Sequence, residues 1–140
     1  MVASSGVKTQ MVVFVRHGVA QHNIIQARTG KTPDLRDPNL FDPPLVRDGK
    51  FQALDAGERL RVWWQMTQGG NQIELVVVSP LTRCLQTVSL AFLPGDQYSK
   101  NCKEPTIVCL EDVREAFGMH YPDRRRNKSL LAVGIYFDYA

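Results

Sequence analysis

Leu75-Val76-Val77-Val78-Ser79-Pro80-Leu81-Thr82-Arg83-Cys84-Leu85-Gln86-Thr87 reads as a strand, a cap and a helix in immediate succession. The run from Leu75 to Val78 is continuously apolar, as a strand covered on both faces requires. Ser79 can cap a helix through its hydroxyl. Pro80 suits the first turn, where its missing N–H leaves nothing unpaired. Leu81, Leu85, Val88 and Phe92 then share one helical face, and Pro94-Gly95 stops the helix.

Upstream, Met11 to Val15 is a second β-branched and apolar run, ending abruptly in Arg16-His17-Gly18, and it is expected to be another buried strand. Residues 26–48 mix four prolines with Asp34, Asp37, Asp42 and Asp48, a composition that makes a long loop. From Gly49 to about Gln68, Phe51, Leu54, Gly57, Leu60 and Trp64 recur at helical steps, predicting an amphipathic helix that Gly69-Gly70-Asn71 ends. Downstream, Thr106 to Leu110 is a third short strand candidate, and the apolar stretch Ser129 to Ala140 could form another. Alternating strands and helices at this spacing favour an α/β domain with a mainly parallel sheet.

The chain has 140 residues, 44% of them hydrophobic and 22% charged, so a single domain (1–140) is expected, with residues 1–10 as a flexible N-terminus. A net charge of +3 permits an anionic ligand only if the cations converge on one site. No apolar run approaches the roughly 18 residues of a membrane span, and the start does not read as a signal peptide, so the expected compartment is the cytosol. Cys84, Cys102 and Cys109 have no metal-ligand spacing with the three histidines and are read as free thiols.

In a parallel sheet, ligands collect beyond the carboxyl ends of the strands, among loops and helix N-termini. Arg16 and Arg83 both fall at that edge, and two guanidiniums meeting there would suit a phosphoryl group. His17 is the natural nucleophile, kept neutral by its cationic neighbours and able to carry the group as phosphohistidine. Gly18 would let the backbone approach the phosphate, and Asn23, on the following loop, could donate to it. A carboxylic acid is needed to protonate the leaving oxygen. Glu115 is preferred, with Glu111 and Asp112 as competitors.

These residues resemble the histidine phosphatase superfamily, the phosphoglycerate mutase-like proteins. The resemblance is carried by Val13 to Gly18 with Asn23, by Asp42, Leu45, Gly49, Gln52 and Ala53, and by Ser79 to Thr87. Val113 to His120 and the basic Asp123-Arg124-Arg125-Arg126 continue it, in the manner of the plant and fungal branch. It implies a three-layer α/β/α sandwich and a reaction without metal or organic cofactor. In it His17 is the phosphorylated nucleophile, Arg16 and Arg83 clamp the phosphate, Asn23 lines the pocket and Glu115 is the proton donor.

The family has a second phosphate-binding histidine, followed by glycine, on a later strand. Besides His17, only His22 and His120 are present here: His120 belongs to the segment after Glu115 and is a poor substitute, and His22, on the loop after Gly18, could reach the rim although nothing requires it to. The fold is therefore expected to be incomplete at its C-terminus, with reduced activity. An apolar face and an unpaired sheet edge would then invite a homodimer. The expected function is a phosphatase or mutase-like phosphotransferase acting on a phosphorylated small molecule or phosphoprotein, with no membrane partner. The alternative is a non-catalytic relative that binds phosphorylated ligands or a partner protein. Arg124-Arg125-Arg126-Asn127-Lys128 could be read as a nucleic-acid patch, but a solvated loop is preferred and no nucleic acid is expected.

Overall fold

Tetrapeptides rich in β-branched residues on either side of a helix place two parallel strands side by side. In a computed structural model of the chain, which describes residues 10–69, 72–92, 105–115, 120–127 and 129, β1 (Leu75–Val78) pairs with β2 (Thr106–Cys109). The register sets Leu75 against Thr106 and Val78 against Cys109. Along β1 the side chains alternate: Val76 and Val78 are buried while Leu75 and Val77 are exposed, the period-two pattern of a sheet with one covered face.

Among the described residues three α-helical elements accompany the sheet: α1 (Gln21–Thr29), α2 (Arg47–Gln68) and α3 (Thr82–Phe92). The architecture is α/β, with a small parallel sheet. α2 closes on Gly69, whose φ of 58° is the left-handed conformation that glycine adopts without a Cβ penalty. None of these helices is long and apolar enough to cross a membrane.

Helix α2 agrees with its periodicity, but its inner face is not the expected one. Gly49, Ala53 and Gly57 are buried, whereas Phe51 and Leu54 are exposed. The reason is close approach of backbones. A Cβ on Gly57 would lie 2.6 Å from the Ala91 carbonyl oxygen of α3, and one on Gly18 would collide with the Gly49 carbonyl. Bulky residues cannot occupy such a seam, so they turn outward.

α3 is also inverted relative to its apolar stripe. Leu81, just before the helix, is fully buried, but within α3 it is Arg83, Gln86, Thr87, Ser89 and Ala91 that are buried, while Leu85, Val88 and Phe92 are only partly covered. Among the described residues the sheet is two strands wide and offers that stripe little surface, whereas α2 and the preceding loop close over the polar side.

Residues 11–15 do not form the expected strand. No β-ladder includes them, and Phe14 is 93% exposed. A β-branched run becomes a strand only where a neighbouring backbone accepts its hydrogen bonds, and no described strand pairs with this segment, although the outer edges of the two-stranded sheet are open among the described residues. The segment after Gly18 is not simply a loop either, because α1 begins at Gln21. The expectations for residues 1–9, Pro94-Gly95, Cys102 and the stretch beyond Ser129 fall outside the described residues.

The seam between α2 and α3 yields a direct test. Gly57→Ala is expected to lower the unfolding free energy by about 1–3 kcal/mol through overpacking against Ala91, read as a drop in the urea midpoint. An unchanged midpoint would mean that the helices do not meet there.

Candidate active site

The long loop before α2 is organised by one carboxylate. Asp42 is fully buried, and its φ of 43° is tolerated because aspartate, like asparagine, visits the left-handed region more readily than most residues. Its Oδ1 accepts the Thr82 N–H at 2.8 Å. Its Oδ2 accepts the Thr82 hydroxyl at 2.7 Å and the Arg126 N–H at 3.2 Å. An anion at the first turn of α3 also complements the helix dipole. Asp42 thus ties the loop, the start of α3 and the segment around residue 126 together, one turn from Arg83.

Arg83 is fully buried. Its Nε–H donates to His17 Nε2 at 3.1 Å, and one terminal nitrogen donates to the Pro122 carbonyl at 2.6 Å. The other terminal nitrogen donates to Glu115 Oε2 at 3.1 Å and Asp123 Oδ1 at 3.3 Å. His17 Nδ1 lies 2.7 Å from the Gly18 carbonyl oxygen. A carbonyl can only accept and a guanidinium can only donate, so these two partners assign the neutral tautomer: the proton is on Nδ1 and the lone pair on Nε2. Thr87, one turn after Arg83, accepts the Gly18 N–H at 3.2 Å while donating to the Arg83 carbonyl at 2.8 Å, which holds the His17 backbone against α3.

Burial lowers the His17 pKa below the ordinary 6.5. The charges of Arg83 and Arg16 add to this, and the Gly18 hydrogen bond and Glu115 oppose it. The imidazole is neutral at physiological pH mainly because it is desolvated, with the neighbouring cations contributing less than the sequence suggests.

The other candidates divide. Glu115 reaches Arg83, although its side chain is 67% exposed. Glu111 is engaged elsewhere, by Arg114 and Arg125, and Asp112 is exposed. Arg16 is exposed and makes no hydrogen bond or ion pair with another described residue, so a single guanidinium touches His17. Asn23 stands in α1 rather than on a loop, with its Oδ1 accepting the Ala20 N–H at 2.9 Å as part of the helix cap. Gly18 is required by its contact with Gly49.

Two neighbours of the cluster carry no role in the sequence reading. Asp123 is buried beneath Arg83, and His120 Nδ1 lies 3.6 Å from its second oxygen. The available signal was its place as the lone acid at the head of a basic run. His22, on the first turn of α1, has its ring centroid 6.3 Å from that of His17.

The three consecutive arginines diverge. Arg124 lies over the Tyr121 ring at 4.5 Å, Arg125 pairs with Glu111 and Arg126 with Asp42. An open depression of about 470 Å3 beside them shares Asp123 with the cluster but is not lined by His17. Among the described residues no three His, Cys, Asp or Glu side chains gather to hold a metal ion.

At the strand-to-helix turn of an α/β domain, a buried arginine thus joins an imidazole to two carboxylates. The chain is similar to a probable phosphoglycerate mutase of Arthroderma benhamiae, 29% identical over 140 residues that cover 92% of this chain and 40% of that protein. It thus spans less than half the length of that curated relative, and the similarity supports a phosphoglycerate mutase-like family at most. No family model and no solved structure matches it.

Two measurements follow. Arg83→Met leaves the Asp123 carboxylate buried without its cation and is expected to cost about 3–5 kcal/mol of stability. Glu115→Gln, at an exposed pair, is expected to cost less than about 1 kcal/mol. Equal losses in urea unfolding would contradict the burial of Arg83 and Asp123.

The second concerns pH. His17 and His22 bind protons less readily folded than unfolded, with His22 lowered from 6.5 to about 4, chiefly by burial. The unfolded chain therefore takes up protons first. Stability is complete above pH 6.5 and falls as the pH drops from 6.5 towards 4. His22→Gln should flatten that decline, whereas superimposable profiles would show that His22 titrates normally.

Proposed function

We propose that the chain is a phosphoglycerate mutase-like phosphatase or phosphotransferase acting on phosphomonoesters, small-molecule or phosphoprotein, through a phosphohistidine at His17. The observation that carries this reading is the orientation of His17: Nδ1–H is anchored on the Gly18 carbonyl and the Nε2 lone pair is directed at Arg83. In this reading β1, α3 and β2 belong to a three-layer α/β/α sandwich, and the reaction takes place in the cytosol.

The Arg83 Nε–H gives up its bond to Nε2, the freed lone pair attacks phosphorus, and the bond from phosphorus to the ester oxygen breaks. The leaving oxygen takes a proton from the carboxylic acid of Glu115, while Arg83 balances charge on the transferring group. Water then attacks the phosphohistidine with Glu115 accepting its proton. The nitrogen–phosphorus bond breaks, and inorganic phosphate leaves. Hydrolysis is favoured over mutase action because no feature of the chain accounts for retention of a bisphosphorylated intermediate.

The second reading, a non-catalytic binder of phosphorylated ligands, is favoured by a different observation: Arg83 is already engaged by Glu115 and Asp123, and Arg16 is turned outward.

Incubation with acetyl phosphate should leave acid-labile phosphate on His17, detected by mass spectrometry. Glu115→Gln should keep phosphate affinity yet lower turnover of esters with poor leaving groups by about 10²–10⁴-fold. If wild type and His17→Ala hydrolyse p-nitrophenyl phosphate equally slowly, the catalytic reading fails and the binding reading gains.

A further inference from the structure

We propose that Asp123 is a positioning residue of this site: with the neighbouring Pro122 carbonyl it locks the plane of the Arg83 guanidinium, and so fixes the direction of the Nε–H that meets His17. Its catalytic consequence rests on the reading of His17 as a phosphoryl-transfer site, whereas the lock itself can be measured without turnover.

A guanidinium carries five N–H groups in one rigid plane, and that plane turns about the side-chain bonds unless acceptors hold it at more than one point. The four acceptors around Arg83 fall into two kinds. The Pro122 carbonyl takes one terminal nitrogen at 2.6 Å and Asp123 Oδ1 takes the other at 3.3 Å. Both come from adjacent, buried residues of one short turn, Tyr121–Asp123. The other two acceptors, His17 Nε2 and the Glu115 carboxylate, are the groups that the proposed reaction uses. The turn therefore grips the N–H groups that the chemistry does not need and leaves the working ones to the imidazole and the exposed acid.

The clamp is anchored on the same residue that sets the root of the arginine. The Tyr121 N–H donates to the Leu35 carbonyl at 2.9 Å, and the Tyr121 carbonyl accepts the Asp42 N–H at 3.2 Å. Asp42 also caps the first turn of α3 through Thr82, next to Arg83. Its carboxylate thus fixes where the side chain starts, and its backbone holds the turn that fixes where the side chain ends. His120 Nδ1, 3.6 Å from Asp123 Oδ2, faces the second oxygen of the clamping carboxylate.

Burial decides which contact persists. The Asp123 side chain is 12% exposed against 67% for Glu115, so water or a ligand can exchange only the Glu115 contact at little cost. Once Glu115 is displaced and the imidazole lone pair is released, the Pro122–Asp123 turn alone keeps the guanidinium from rotating. Misplacing such a group by an ångström typically costs about 10²-fold in rate.

Side-chain ¹⁵N NMR of Arg83 in the whole chain tests the lock. The two terminal Nη groups of the wild type should give separate resonances that exchange slowly. In Asp123→Ala they should merge as the head rotates, and Asp123→Asn, which keeps a carbonyl oxygen, should restore part of the separation. With p-nitrophenyl phosphate, Asp123→Ala should lower kcat by about 10²-fold and leave KM nearly unchanged. In an Arg83→Met background the same substitution should have almost no further effect on kcat, because Asp123 acts through Arg83. Urea unfolding checks that each variant folds, and if Asp123→Ala does not, the wild-type and Asp123→Asn resonances decide.

Averaged Nη resonances in the wild type overturn the proposal. So does a folded Asp123→Ala that keeps them separate or matches the wild-type kcat. Independent losses in the Arg83→Met background would give Asp123 a role of its own and overturn it as well. A wild type with locked Arg83 resonances and no turnover sinks the phosphatase reading and leaves the lock standing.

Discussion

A guanidinium removed from water has to find a partner for nearly every N–H it carries, and that requirement on Arg83 arranges the rest of the site. Its partners come from separate parts of the chain: His17 before α1, Glu115 after β2, and Pro122 and Asp123 in the turn beyond. None of these contacts forms unless α3 presents its polar face inward. That explains why Arg83, Gln86 and Thr87 are buried while the more apolar side of the helix is left half-covered. A buried ion pair is weak evidence for net stability, since desolvation offsets much of the attraction. What it supplies here is uniqueness, because other packings of α3 would strand the charge.

Asp42 performs the complementary task for donors. Three of them, two on Thr82 and the backbone N–H of Arg126, converge on its carboxylate. Gln86 adds a further tie by accepting the Leu45 N–H at 2.8 Å, so that one helix face holds both the loop and the cluster around Arg83. Side-chain bonds of this kind take over the role that a wider sheet would play in fixing the loop before α2. They place the start of α3, and therefore Arg83, before any ligand arrives.

Those elements whose formation depends on neighbours a few residues away were legible in the sequence. β1, α3 and β2 follow from local apolar runs and their punctuation, and α2 from its period and the glycine after it. Features decided by distant neighbours were not legible. The cap expected at Ser79-Pro80 is not formed: α3 starts at Thr82, whose N–H is met by Asp42 from the distant loop. Met11 to Val15 has the composition of a strand but no ladder partner. α1 carries only Ile24 and Ile25 as adjacent apolar residues, so no stripe announces it. Glu111, Asp112 and Glu115 are chemically alike in the sequence. They differ only in which cations stand beside them once folded, with Arg125 and Arg114 taking Glu111 and Arg83 taking Glu115.

Arg83 is saturated by carboxylates, which opposes phosphate binding, yet the two that hold it are not equivalent. Asp123 is buried and cannot leave without exposing a charge to a dry interior. Glu115 is mostly solvated and can exchange its Arg83 contact for water at little cost. In the proposed reaction, an incoming phosphoryl group therefore displaces Glu115 rather than Asp123. The displaced side chain is then a carboxyl at the rim of the site, no longer bound to the guanidinium, at the moment a leaving oxygen needs a proton. The same contact thus becomes the means of delivering the acid, and the buried Asp123 keeps Arg83 in place when its Nε–H releases the His17 lone pair.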